Sequence, residues 1–129
     1  MREIKYKAYW HDSKLMTLVD TIEFLKGGTR VSDGCMHTGW VGKGCELVEY
    51  TGLKDKNGVE IYEGDIVETV YNGEVFAGVV VYDLSEVDFK VTDGKEKYGR
   101  NFQYLAGNDE NEVIGNIYEN PELLESKKD

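Results

Sequence analysis

Apolar and polar residues alternate at the start of the chain, with Ile4, Tyr6, Ala8 and Trp10 interleaved by Lys5, Lys7 and Tyr9. A period of two predicts a half-buried strand. It sends Tyr6 and Trp10 toward a core and leaves Lys5, Lys7 and Tyr9 on the opposite face. His11-Asp12-Ser13-Lys14 reads as a turn, because Asp and Ser side chains can bond their own backbone. A second strand over 14–19 then makes residues 3–19 a hairpin. Residues 22–25 suit a third strand or one helical turn. From Lys26 to Gly44, six of nineteen residues are glycine, which predicts a loop or an irregular strand pair and the most mobile region of the chain.

The second half is more regular. Residues 46–50 form a strand, and Lys54-Asp55-Lys56-Asn57-Gly58 is a strong reverse-turn signal. Val59 and Ile61 lead through Tyr62-Glu63-Gly64-Asp65 into a strand over 66–71. Asn72-Gly73 repeats the turn chemistry before a strand over 74–83, and a further strand over 88–92 is closed by Asp93-Gly94. Tyr98, Phe102 and Leu105 give only a weak helical or irregular pattern, followed by a turn at Gly107-Asn108-Asp109. The last strand spans 112–119, with Val113, Gly115 and Ile117 on one face. Asn120 then caps a helix over 121–126 that starts at Pro121 and packs Leu123 and Leu124 inward, while residues 127–129 fray. The expected fold is mainly β. A small bent sheet or SH3-like barrel forms from 46–119, with glycines 64, 73 and 78 supplying bends. To it are added an N-terminal hairpin with the glycine-rich loop (1–45) and a C-terminal helical turn (120–126). No repeat or linker divides the 129 residues, so a single domain is expected.

Composition narrows the class. A 40% apolar fraction with 12% aromatics is too hydrophobic for an acidic disordered chain. The net charge of −10 argues against a general polyanion binder. The charge is uneven: +2 over residues 1–30, −2 over 31–60, −6 over 61–90 and −4 over 91–129. No Lys or Arg lies between Val59 and Phe89. Strands with one solvated face, their acids pointing outward, account for this run, and an acidic face for a basic partner or cation is the alternative. The N-terminus lacks the apolar stretch of a secretory signal, and no apolar run is long enough for a membrane span, so a cytoplasmic setting is expected. There Cys35 and Cys45 would remain thiols.

Three segments resemble the YopX family of bacteriophage and prophage proteins. They are residues 1–10, the central Tyr50-Thr51-Gly52-Leu53-Lys54-Asp55-Lys56-Asn57-Gly58-Val59-Glu60-Ile61-Tyr62-Glu63-Gly64-Asp65-Ile66-Val67, and the closing Val113-Ile114-Gly115-Asn116-Ile117-Tyr118-Glu119-Asn120-Pro121-Glu122-Leu123-Leu124. The resemblance ties both ends to the middle. It implies a small β-rich phage or prophage protein of the bacterial cytoplasm, from a family without an assigned biochemical activity, and it carries over no catalytic residue. Within the motif, Tyr50, Gly52, Leu53, Asp55, Gly58, Ile61, Tyr62, Glu63, Gly64, Asp65, Gly115, Asn116 and Pro121 read mainly as structural. Asp65 suits a turn cap, and Tyr62, Glu63 and Asp65 also form a polar cluster beside an aromatic. Residues 26–45 and 84–111 match nothing in the resemblance.

The constellations for chemistry are thin. His11, Cys35, His37 and Cys45 are the only soft ligands, and Cys35-x-His37 is not a zinc spacing. Cys45–His11 or Cys35–His37 would be nucleophile–base pairs without motif context. Glu63 and Asp65 form a carboxylate pair expected by chance among 25 acids. Val41-Gly42-Lys43-Gly44 is only a fragment of a phosphate loop. The expectation is therefore a non-enzymatic protein–protein binding module without metal or cofactor, meeting an unknown protein partner or a second copy of itself through strand edges or the glycine-rich segment. The alternative is a nucleic-acid module using Lys5, Lys7 and Tyr9, with Lys14, Lys26 and Arg30 nearby. A metal- or thiol-dependent enzyme around Cys35, His37 and Cys45 is the remote third.

Overall fold

The computed structural model describes residues 3–71, 73–92 and 102–125. The turn residue Asn72, the Asp93-Gly94 turn, Tyr98 and the tail from Ser126 lie outside the described residues. The fold is mainly β with one short C-terminal helix. It divides into two compact units, Met1–Tyr50 and Thr51–Asp129.

In the first unit, β1 (Tyr6–Trp10) and β2 (Leu15–Leu18) form the expected hairpin, with Ala8 opposite Thr17. On its other side β1 pairs antiparallel with β6 (Cys45–Lys54), where Ala8 faces Leu47. The segment at 21–25 is a strand, β3 (Thr21–Leu25). The glycine-rich stretch takes the strand-pair alternative: β4 (Gly28–Ser32) pairs with β3, and β5 (Thr38–Trp40) pairs with β4. Backbone pairing holds these strands, and it needs few apolar side chains. Ala8, Trp10, Val31 and Cys45 form the core, with Val19, Ile22, Val41 and Leu47 packed against it. The Trp10 indole N–H donates to Thr17 Oγ1 at 2.7 Å, so the buried ring keeps its polar atom satisfied.

The second unit follows β7 (Glu60–Tyr62) with β8 (Asp65–Tyr71), β9 (Glu74–Asp83), β10 (Asp88–Thr92), β11 (Phe102–Tyr104) and β12 (Glu112–Asn116). The last five form a curled, half-barrel sheet in the order β11-β10-β9-β8-β12. Helix α1 (Glu122–Glu125) closes the described chain. Residues 102–104, expected to be irregular or helical, form a strand because β10 offers them a pairing edge, with Lys90 opposite Tyr104. Val67, Val80, Phe89, Val91 and Leu105 fill the inner face together with Ile61. The register puts them there: Val80 sits opposite Val91 and Tyr82 opposite Phe89.

Two close approaches shape this unit. A Cβ on Gly78 would lie 2.4 Å from the Thr92 carbonyl oxygen, so β9 can meet β10 there only through glycine. A Cβ on Gly115 would lie 2.7 Å from Asn120 Oδ1 and 2.9 Å from Leu123 Cδ1, so that gap receives the start of α1. The last strand stops at Asn116, short of the expected residue 119. Asn116 Oδ1 accepts the N–H groups of Tyr118 at 3.0 Å and Glu119 at 2.8 Å and folds the chain into a turn. A register shift between Val113 and Gly115 also breaks the expected single face of Val113, Gly115 and Ile117. The Asn120 side chain accepts from the Asn116 N–H at 3.3 Å, and its backbone oxygen takes the Leu123 N–H at 3.1 Å.

Gly78→Ala should destabilise the protein by about 2 kcal/mol or more, the scale of overpacking against a backbone that cannot move aside. Urea unfolding monitored by circular dichroism reads this directly, and an unchanged midpoint would contradict the close approach.

Candidate functional site

The central motif builds structure around one carboxylate. Asp55 is only 7% exposed. Its Oδ1 accepts the N–H groups of Asn57 at 2.8 Å and Val59 at 2.9 Å, and Oδ2 accepts that of Val113 at 3.0 Å. Burial pushes this carboxyl up, but the three N–H donors outweigh it and hold the pKa below the usual carboxylate range. Asp65 Oδ2 accepts the Tyr62 N–H at 2.8 Å, which tightens the turn into β8. Gly52, Gly58 and Gly64 lie at φ between +83° and +88°. Tyr50, Ile61 and Tyr62 are buried, Leu53 packs against the core, and the Tyr62 hydroxyl donates to Glu60 at 3.3 Å. Gly64 accepts the Ile117 N–H at 2.9 Å, and Asp65 and Ile66 pair with Asn116 and Gly115. Glu63 is half-buried beside this turn, and Pro121 is exposed ahead of α1. The central and closing segments are thus bonded to each other.

The acidic run holds a second polar centre. Asp83 is 2% exposed and Lys90 4%, so these charges are turned inward, contrary to the expectation that the acids of this run all face solvent. Lys90 Nζ lies 2.5 Å from Asp83 Oδ2 and 2.7 Å from Glu86 Oε1, and 5.4 Å from the Tyr104 ring centroid. The Lys90 ammonium and the Ser85 hydroxyl hold the Asp83 carboxyl down to about 2. The Tyr104 hydroxyl donates to Glu86 at 2.9 Å. The sequence signal was Lys90 itself, the first cation after a long acidic stretch, two residues along from Asp83's cross-strand partner Asp88. Between them the β9–β10 turn holds Val87 at φ +54°, a strained conformation for a β-branched side chain.

The candidate ligands and nucleophiles are spread over different partners. His11 Nε2 meets Glu46 at 3.0 Å and Cys45 is buried, its thiol pKa raised by that burial. Cys35 is exposed. His37 contacts Asp33 and Ser13. Among the described residues, no group of three His, Cys, Asp or Glu side chains is placed to hold a metal ion. Tyr9, expected on the outer face with Lys5 and Lys7, is buried at 8% exposure with its ring against His11, because β1 is covered on both faces near its end. It offers no open surface for stacking a base. Lys5 pairs with Glu3 at 3.4 Å and lies over the Tyr50 ring, and Lys7 is half-buried.

The surface that stands out is apolar and belongs to the first unit. Ile22 lies opposite Val31, so both point to the core face of the β3–β4 hairpin, and Phe24, two residues on, shares that face. The core ends before it reaches Phe24, which is 83% exposed. Leu25 at the end of β3 and Leu15 and Leu18 on β2 are exposed as well, as is Ile4. A cavity of about 420 Å³ opens among Ile4, Leu18, Val19 and Ile22. Sequence reading missed this patch because the apolar pattern of 22–25 is too short to separate strand from helix, and so gives no face.

A family model described as YopX protein matches residues 5–125. The chain belongs to the YopX family. Among solved structures it is similar to protein EF1440 from Enterococcus faecalis, at 24% identity, covering 96% of this chain and 99% of that one with a TM-score of 0.56. It is also similar to YopX from Bacillus subtilis, at 21% identity, covering 92% and 96% with a TM-score of 0.54. These likenesses establish a shared fold. No curated protein matches the chain. Among the described residues, no helix is long and apolar enough to cross a membrane. In this YopX-family chain, Asp55, Gly64, Asp65 and Asn116 make the bonds that join the central and closing segments.

Replacing Asp55 with Ala strands three N–H groups and should cost about 2 kcal/mol. Because the folded pKa is depressed, that stabilisation is present above the unfolded value near 3.8 and is lost as the pH falls through the folded one. The stability gap between wild type and Asp55→Ala in urea should therefore be full at neutral pH and shrink on acidification. A gap independent of pH would contradict the role of the charge.

Proposed function

We propose that this protein is a phage or prophage accessory protein of the bacterial cytoplasm that works as a binding module, adding an extended segment of a partner protein to the β3 edge. The observation that carries the reading is Phe24, a large apolar side chain 83% exposed on a terminal strand. Terminal strands are usually guarded by lysine, proline or a bulge, since their unpaired backbone groups recruit other chains. Within Thr21–Leu25 the only charge is Glu23, and there is no proline. A partner strand along β3 would gain main-chain hydrogen bonds and place alternate apolar side chains against Phe24 and the cavity beside Ile22. Lys26 and Arg30 flank the edge, and the first thirty residues carry +2, so an apolar segment with neighbouring acids fits best. The rest of this chain carries −12, which makes a second copy one such candidate. Family membership supports the phage setting.

Phe24→Glu changes an exposed side chain and should leave the fold intact. In bacterial cytoplasm, cross-linked partners recovered with the wild type should fall by at least about tenfold with the variant, the loss of one apolar contact site. Sedimentation of the purified protein reads the second-copy arm in the same way. Equal recovery and equal sedimentation for both forms would overturn the reading.

A further inference from the structure

Three side chains in the first unit, Ser13 and the Asp33–His37 pair, with His37 24 residues beyond Ser13, form a continuous hydrogen-bonded chain. Ser13 Oγ lies 3.0 Å from His37 Nε2, and His37 Nδ1 lies 2.7 Å from Asp33 Oδ2. Ser13 sits in the β1–β2 turn, while Asp33 and His37 bracket the connection from β4 to β5. The order of donors follows from chemistry. The Asp33 carboxylate can only accept, so Nδ1 carries the proton and donates to it. In the neutral imidazole the Nε2 lone pair is then free to accept the Ser13 hydroxyl proton. Asp33 is itself fixed: its Oδ1 accepts the N–H groups of Cys35 at 3.0 Å and His37 at 2.9 Å. Those bonds and the imidazole keep its carboxyl well below the usual carboxylate range, so it stays ionised. The His37 ring is stacked on the Trp10 indole, centroids 5.0 Å apart, which fixes its plane.

We infer that Ser13 is a nucleophile activated by His37, with Asp33 as the positioning residue, and that the site takes acyl groups from small activated carboxylic esters. A nucleophile within hydrogen-bond reach of a base, the base oriented by a third group, is the signature of acyl transfer whatever the fold. Ser13 Oγ forms a bond to the ester carbonyl carbon while its proton passes to His37 Nε2. The carbon–oxygen bond to the leaving alcohol then breaks, and His37 returns the proton to that alcohol. Water attacks the acyl-serine next, its proton passing through Nε2 back to Ser13 Oγ as the carboxylic acid leaves. Ser13 is exposed on its turn, so the reacting carbonyl can approach from solvent. The Ser13 N–H has no acceptor among the described residues and lies on the same turn, where the nucleophile's own N–H commonly serves as an oxyanion donor. Sequence spacing gave no sign of the trio, which assembles only when the glycine-rich stretch folds as strands. The inference goes beyond binding at β3 and is independent of it.

The test is covalent labelling of the full chain with a fluorophosphonate, located by mass spectrometry. Wild type should carry one adduct at Ser13, and Ser13→Ala none. His37→Gln should label about 100-fold more slowly, the contribution of a positioned base. Asp33→Asn should also slow labelling while circular dichroism shows the fold retained, which keeps the test valid if His37→Gln fails to fold. Phe24→Glu should label as wild type does, separating this site from the binding edge. No adduct on wild-type Ser13, or equal rates for wild type and folded Asp33→Asn, would overturn the inference.

Discussion

The Asp55 carboxylate holds together parts of the second unit that are far apart in sequence. One oxygen closes its own turn through Asn57 and Val59, and the other reaches Val113 at the start of β12, 58 positions along the chain. Lys56 N–H donates to the Asn111 carbonyl at 2.9 Å beside it, and the Lys56 ammonium meets Glu112 at 3.5 Å. A buried carboxylate is tolerated because several N–H donors replace the water it gives up, and removing it would leave those donors unpaired. The closing segment is placed by the same logic farther on: Gly64 accepts the Ile117 N–H, β8 pairs β12, and the gap at Gly115 admits Asn120 and Leu123.

This arrangement makes the central and closing segments of the chain depend on each other. Tyr50 to Val67 and Val113 to Leu124 are two halves of one set of contacts. Function is then better sought in features that lie outside these contacts. Phe24 lies in water on a terminal strand, Val87 holds a left-handed turn, and Ser13, His37 and Asp33 join two turns of the first unit. The stretch from Lys26 to Gly44 supplies two members of that trio.

How much was legible in the sequence depended on the kind of signal. β9 and β10 fall at the expected 74–83 and 88–92, since alternation and turn residues are local properties. The β1–β2 hairpin was readable for the same reason. β4 and β5 were obscured because glycine reads as loop, while their order comes from backbone pairing with β3. β11 is too short for a period and exists through its partner β10. Asn116 ended its strand early by turning its side chain onto the following backbone, a choice invisible to hydrophobic pattern. The burial of Tyr9 likewise depended on what covers β1. Within the sites, Asp65 was recognisable as a turn former, but the reach of Asp55 to Val113 and of His37 to Ser13 are tertiary facts with no local trace.

Amide hydrogen exchange followed residue by residue in wild type and Asp55→Asn reads the reach of this carboxylate. The Val59 and Val113 amides, distant in sequence, should lose protection together in the variant, while Val80 and Val91 in the sheet interior lose protection less. Loss at Val59 with Val113 unchanged would contradict it, because the carboxylate would then be closing only its own turn.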